Sequence, residues 1–175
     1  PDNFFLNGTI IIRDGIIQDV GIDILVPDDA VVIDMTNKHI YSGFIESYFN
    51  PKIEYSYNYQ DDHWSHKVNA HRSMSKKYEA NEKKMEQLHS LGFTTACVVP
   101  DSGVFKGSSV LIQLNRYGTV LNSNVSQNIG FEVDGWGSDQ YPNSLLGVVA
   151  LIRQTFIDAN WYSEAKNKIK LYPEY

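Results

Sequence analysis

The sequence has 175 residues, 42% of them hydrophobic and 21% charged, which is the balance of a folded globular chain and excludes a disordered one. A domain of this length buries roughly 70% of the surface its unfolded chain exposes, so it needs no covalent staple; the length equally fits part of a larger protein. With 15 basic and 21 acidic residues the net charge is −6 and the pI is near 5.3, which argues against a nucleic-acid partner, since phosphates call for clustered Lys and Arg.

The predicted elements begin with short strands and tight turns over residues 4–34. Asn7-Gly8 and Asp14-Gly15 are hairpin signals, because such turns want positive φ. Thr9–Ile12 and Ile16–Val20 flank the second of them. Pro27-Asp28-Asp29-Ala30 reads as a further turn leading into a strand at Val31–Asp34, and His39–Phe49 reads as one longer strand interrupted at Ser42-Gly43. Residues 50–78 have no regular period and are rich in polar and aromatic side chains; loops of this length are commonly functional or inserted.

A helix is predicted from about Glu79 to Leu91, with Met85, Leu88 and Leu91 near one face and Gly92 as its left-handed stop. Phe93–Val99 follows as a buried strand ending at Pro100, and the helix–glycine–strand order has the rhythm of a β/α barrel. The one cysteine, Cys97, falls inside this strand and reads as a small buried apolar residue rather than a nucleophile. Strands and loops return over 102–141, at Ser108–Leu114, Thr119–Leu121 and Gln127–Val133, until Gly135-Trp136-Gly137 breaks the pattern. The last element is a helix from about Leu145 to Ile169, with Asn143 or Ser144 to cap it and Leu145, Val149, Ile152 and Phe156 as its buried stripe.

No stretch is long enough to span a membrane. No basic segment followed by an apolar one marks a signal peptide, which is then absent or already removed; a first residue Pro1 fits a trimmed chain or a mature secreted form.

Several groups of residues offer chemistry, each with a plainer reading beside it. Asp61, Asp62, His63, His66 and His71 form the densest set of potential metal ligands, although zinc sites of such short span usually draw on Cys or a distant His; the plainer reading is a solvated loop anchored by aromatic rings. Lys106-Gly107-Ser108-Ser109 lacks the upstream glycine spacing of a phosphate loop and precedes a strand, so it reads as a turn. Ser102, in Asp101-Ser102-Gly103, has no local histidine to activate it. Asp134, Trp136 and Asp139 lie ahead of the last helix, where they either line a pocket or serve as a capping loop. Arg153 and Asp158 are five apart, a spacing that does not make them face each other.

The run Gly43-Phe44-Ile45-Glu46-Ser47-Tyr48-Phe49-Asn50 resembles the first metal-binding strand of the amidohydrolase superfamily, Gly-Phe-Ile-Asp-x-His-x-His. The preceding Asn7-Gly8-Thr9-Ile10, the Asp14-Gly15 hairpin, Val32-Ile33-Asp34 and Tyr41-Ser42-Gly43-Phe44-Ile45 are similar to the start of its imidazolonepropionase-like type. The unit Leu88-His89-Ser90-Leu91-Gly92 with Thr94–Pro100 resembles the family's next one. Tyr141–Gly147 and Ala150–Phe156 are similar to amidohydrolase-like proteins of the Bacteroidetes type. The resemblance covers most of this chain and only the front of a whole member.

It implies an α/β fold: the N-terminal part of a composite β-sandwich over 1–42, then an incomplete TIM-type β/α barrel with a β-rich insertion over 43–175. It also implies a small-molecule substrate, zinc or another divalent metal in the full-length protein, a homo-oligomer or partner subunit, and, by analogy, a periplasmic or secreted location. Residues two apart on a strand share a face, so Tyr48 and Asn50 stand at the paired histidine positions with Glu46 on the same side. Neutral phenol and amide are poor zinc ligands. Two functions therefore stand open. One is the front portion of a metal-dependent hydrolase of C–N bonds, not catalytic by itself, with Glu46 or His63, His66 and His71 assisting. The other is a non-catalytic binding or partner module that kept the fold and lost the chemistry.

Overall fold

The computed structural model describes residues 5–52, 63–133 and 140–171. Asp61, Asp62, Asp134, Trp136 and Asp139 lie outside them. The chain divides into two compact units, Pro1–Ser42 and Gly43–Tyr175.

The first unit is built on a hairpin. β1 (Thr9–Arg13) and β2 (Ile16–Gly21) pair antiparallel from Thr9↔Gly21 to Arg13↔Ile16, with an irregularity between Ile11 and Ile12. Asp14 and Gly15 have φ of 54° and 76°, the left-handed pair that matches the twist of a two-residue hairpin. The expected turn at 27–30 closes with Ala30 N–H donating to Pro27 O at 3.0 Å, and Arg13 reaches Asp29 at 3.4 Å.

The strand expected at Val31–Asp34 does not form. Val31, Val32 and Ile33 are unpaired and lie 91%, 74% and 75% exposed. A strand needs a ladder partner as well as β-branched side chains, and the described part of this unit supplies none. None of its described residues is buried.

The second unit holds the core. Its main sheet has the order β3-β4-β6-β7, built from β3 (Phe44–Phe49), β4 (Phe93–Val98), β6 (Val110–Gln113) and β7 (Val120–Asn122). A smaller sheet pairs β5 (Phe105–Ser108) with β8 (Gln127–Ile129). β3 and β4 are parallel and are joined through α1 (Glu82–Ser90), so the predicted β/α unit is present. β6 then pairs antiparallel to β4, from Thr95↔Gln113 to Val98↔Val110, and β7 antiparallel to β6. The architecture is mixed α/β with several sheets and two helices. Among the described residues a TIM barrel is not shown; the edge of β4 away from β3 is paired with β6.

Residues 39–43 do not extend β3 as predicted; the strand starts at Phe44. Gly43 passes so close to Thr94 that a Cβ there would sit 2.1 Å from its Cγ2. That contact fixes where the chain enters the sheet.

α1 starts later than predicted, where Asn81 Oδ1 accepts the Lys84 N–H at 3.1 Å, the usual way to satisfy an orphan donor of the first turn. It ends as predicted, with Gly92 at φ 92°. Met85 is buried and Leu88 half-buried against the sheet, whereas Leu91 is 68% exposed. As the C-cap, Leu91 has left the helical path and with it the apolar stripe.

The main core joins Met74, Met85, Ala96, Val98, Val110, Ile112 and Leu114. Ala96, Cys97 and Val98 are buried in succession, as expected of a strand covered on both faces.

α2 (Leu145–Leu171) is capped by Ser144, whose Oγ accepts the Gly147 N–H at 3.2 Å. Its buried side is Val148 and Leu151 with Ile152 beside them, packed on Val68, Val104 and Phe105. Of the predicted stripe, Leu145, Val149 and Phe156 are 58%, 50% and 58% exposed. The first turns are apolar around most of their circumference, so periodicity selected a stripe one residue away from the one that docks.

Candidate functional site

The site grows from the ends of the parallel pair. Phe49 faces the core and its carbonyl accepts the Val99 N–H at 2.9 Å. The alternation of a strand therefore places Tyr48 and Asn50 away from that core. Asn50 uses both ends of its amide: Oδ1 accepts the Lys52 N–H at 2.8 Å, and Nδ2 donates to Asp101 Oδ1 at 2.8 Å. This orientation is fixed chemically, since a backbone N–H requires the oxygen and a carboxylate requires the nitrogen. Lys106, on β5, completes the group. Its Nζ donates to Asp101 O at 2.9 Å and to the Tyr48 hydroxyl at 3.3 Å.

Glu46 does not join this group. Its Oε1 accepts the Tyr48 N–H at 2.9 Å, folding the carboxylate onto its own strand where the β3–β4 register shifts.

The predicted histidines lie elsewhere. His63 is half-buried; Nδ1 accepts the Ser65 N–H at 3.0 Å, and Nε2 is buried without a hydrogen-bond partner. Its ring lies 5.3 Å from Trp64, which stacks on Tyr141 at 6.1 Å, so the aromatic anchoring expected of this loop is present. His66 and His71 are exposed. The segment carrying them is held by bridges Val68↔Phe105 and Ser73↔Ser108 and by Lys67, whose Nζ lies 3.3 Å from Glu132. Among the described residues no group of three or more His, Cys, Asp or Glu is gathered to hold a metal.

The Tyr48, Asn50, Asp101 and Lys106 set does not fit a divalent cation. It offers a phenol, an amide whose oxygen is already used, one carboxylate and a positively charged ammonium, where such ions seek carboxylates, imidazoles or thiolates.

The remaining candidates are structural. Lys106-Gly107-Ser108-Ser109 forms β5 and its exit, with Ser109 fully buried and bonded to Ser126 through both N–H and Oγ. Cys97 is buried. Asp158 accepts from Gln154 at 2.7 Å, one helical turn back, rather than from Arg153. A groove lined by Glu82, Met85, Glu86, His89, Leu114, Asn115 and Arg116 contains none of the candidate residues.

Two pKa shifts stand out, both outside the site. Hydrogen bonds from the Thr36 hydroxyl and then the Thr36 N–H hold Asp34 below the usual carboxylate range, and burial raises Tyr78.

Sequence reasoning missed Asp101 and Lys106 as members of one site. The available signal was that Asp101 is the first charged residue beyond a buried apolar strand, level with the end of its predicted parallel neighbour. Lys106 gave no such signal, because only the β5 placement brings it there.

No family model matches the sequence, and no curated protein matches it. Among the described residues no helix is long and apolar enough to cross a membrane. The structure is similar to a crystal structure of an amidohydrolase from Thermotoga maritima MSB8, with a TM-score of 0.67 and 19% identity, over 94% of this chain and 46% of that one. The chain thus spans less than half the length of that neighbour, and what it shares at this identity is an amidohydrolase-like fold.

Proposed function

We propose that this chain is the N-terminal part of an amidohydrolase-like protein and acts as a binding module rather than a metal centre. On this reading, the protein is of the imidazolonepropionase-like type, residues 1–42 are one portion of a composite β-sandwich, and residues 43–175 are a partial β/α barrel carrying a β-rich insertion. The observation that carries it is the Lys106 ammonium, 3.3 Å from the Tyr48 hydroxyl and 2.9 Å from Asp101 O. Like charges at such separations repel strongly in a partly desolvated site, so a fixed ammonium and a divalent metal compete for the same place. The test is elemental mass spectrometry of the chain purified without chelators. The expected result is no stoichiometric metal; about one equivalent of zinc, manganese or iron would overturn the reading.

A second reading, hydrolysis of a C–N bond by the whole protein, is favoured by the named activity of the structural neighbour and by the fact that only 46% of its length is matched. Fold likeness alone does not carry an activity, which resides in particular side chains. Under this reading the chain contributes the Tyr48, Asn50, Asp101 and Lys106 wall of the site, and the reacting groups come from outside residues 1–175. Hydrolysis of simple N-acyl amino acids by the full-length protein, lost in Lys106→Met, would favour this second reading over the first.

A further inference from the structure

We infer that Lys106 and Tyr48 form a binding site for the carboxylate of a small molecule; this rests on the metal-free reading of the same strand end. The ammonium has three protons, and two of its directions are used, toward Asp101 O and the Tyr48 hydroxyl. Both acceptors are neutral oxygens. Asp101 is close, but its carboxylate oxygen Oδ1 is engaged by Asn50 and only its backbone oxygen takes the lysine. Among the described residues Lys106 forms no ion pair, and the two oxygens that accept from it are neutral.

The phenol adds a second donor. Its oxygen accepts from Lys106, so its own proton is directed elsewhere, and the Tyr48 side chain is 52% exposed. An N–H and an O–H on atoms 3.3 Å apart present two adjacent donors, the arrangement that the paired oxygens of one carboxylate accept with charge assistance.

The lysine is positioned rather than free to wander. A Cβ at Gly130 would lie 2.7 Å from Lys106 Cε and 3.4 Å from Nζ, so the stem passes over a residue that has no side chain. Gly130 is itself fixed by its N–H, which donates to Val104 O at 2.8 Å.

The experiment is calorimetric titration of the chain with N-acetylglycine and acetate, with inorganic phosphate and chloride as separate arms, alongside metal analysis of the same preparation. Saturable binding of the carboxylates at one site is expected, weakened about tenfold or more in Lys106→Met, which keeps the stem and removes the charge. Tyr48→Phe, which removes only one hydroxyl, and Gly130→Ala, which crowds the stem with every charge retained, are each expected to weaken binding severalfold. Both also serve if Lys106→Met fails to fold. Equal binding of all four probes, or affinities unchanged in Tyr48→Phe and Gly130→Ala, would overturn the site. Metal found with carboxylate binding intact would overturn only the metal-free reading, and absent binding in a metal-free protein only the carboxylate site.

Discussion

Asn50 Nδ2 donates to Asp101 Oδ1 at 2.8 Å, tying the residue that follows β3 to one three positions beyond β4. Replacing this amide by a carboxylate, Asn50→Asp, turns the bond into a repulsion between two partly buried acids. The expected loss is about 1–3 kcal/mol of stability near neutral pH. Two carboxylates sharing a site raise the pKa of one of them in the folded state. A raised folded-state value means stability is recovered as pH falls through it. Urea denaturation at pH 7 and pH 4 should therefore show a smaller deficit at the lower pH; an equal deficit at both would show that the repulsion is not its cause.

Restoring histidines at both strand positions, Tyr48→His with Asn50→His, is expected not to create a zinc site. Lys106 still places its ammonium there, and Glu46 is turned onto its own strand by the bond to the residue-48 N–H. Elemental analysis of the double variant should show no stoichiometric zinc. One bound equivalent would mean that the lysine yields to a metal.

α2 docks through Leu151, which is fully buried, while Leu146 is 83% exposed. Leu151→Ala should cost about 2–5 kcal/mol through lost transfer energy and the cavity left behind. Leu146→Ala in the same chain should stay within about 0.5 kcal/mol. Chemical denaturation of the two variants decides it, and similar losses would mean that the helix docks by another face.

Asp34 accepts the Thr36 N–H at 2.9 Å and the Thr36 hydroxyl at 2.5 Å, and the hydroxyl is the larger cause of its lowered pKa. A depressed folded-state value means that the carboxylate favours the folded form above its unfolded pKa and ceases to do so as pH falls through the depressed value. Thr36→Val removes the hydroxyl and keeps the N–H. Carbon-detected titration of the Asp34 carboxyl should move toward the ordinary aspartate value in that variant, and an unmoved midpoint would assign the shift elsewhere.

The parts legible in the sequence are those whose causes are local. Asp14-Gly15 announces its hairpin because two adjacent residues must adopt positive φ. Gly92 and the apolar run after it announce the end of α1 and the start of β4. Val31–Ile33 has strand composition, yet pairing depends on a distant segment and composition cannot report one. The α2 stripe was ambiguous for the same reason: a helix apolar on several sides is oriented by what it meets, here Val68, Val104 and Phe105. At the site, Tyr48 and Asn50 were legible as a same-facing pair because strand alternation is local. The tie to Asp101 spans 51 positions and that from Lys106 to Tyr48 spans 58, and only the paired strands bring them together.

β4 lies between β3 on one side and β6 on the other, with Ala96 and Val98 fully enclosed, while β3 and β7 end the sheet. Solvent deuterium reaches a paired amide only when its partner strand lifts away, and edges lift more cheaply than centres. The amides of the two inner strands, β4 and β6, are thus the last in the main sheet to exchange, and their rate reports global opening of the second unit. Fraying at β7, or at the Tyr48 end of β3, leaves them dark to the solvent. In kinetic terms these inner strands are the clock of this unit, and Tyr48 sits beside them on a strand end that opens sooner.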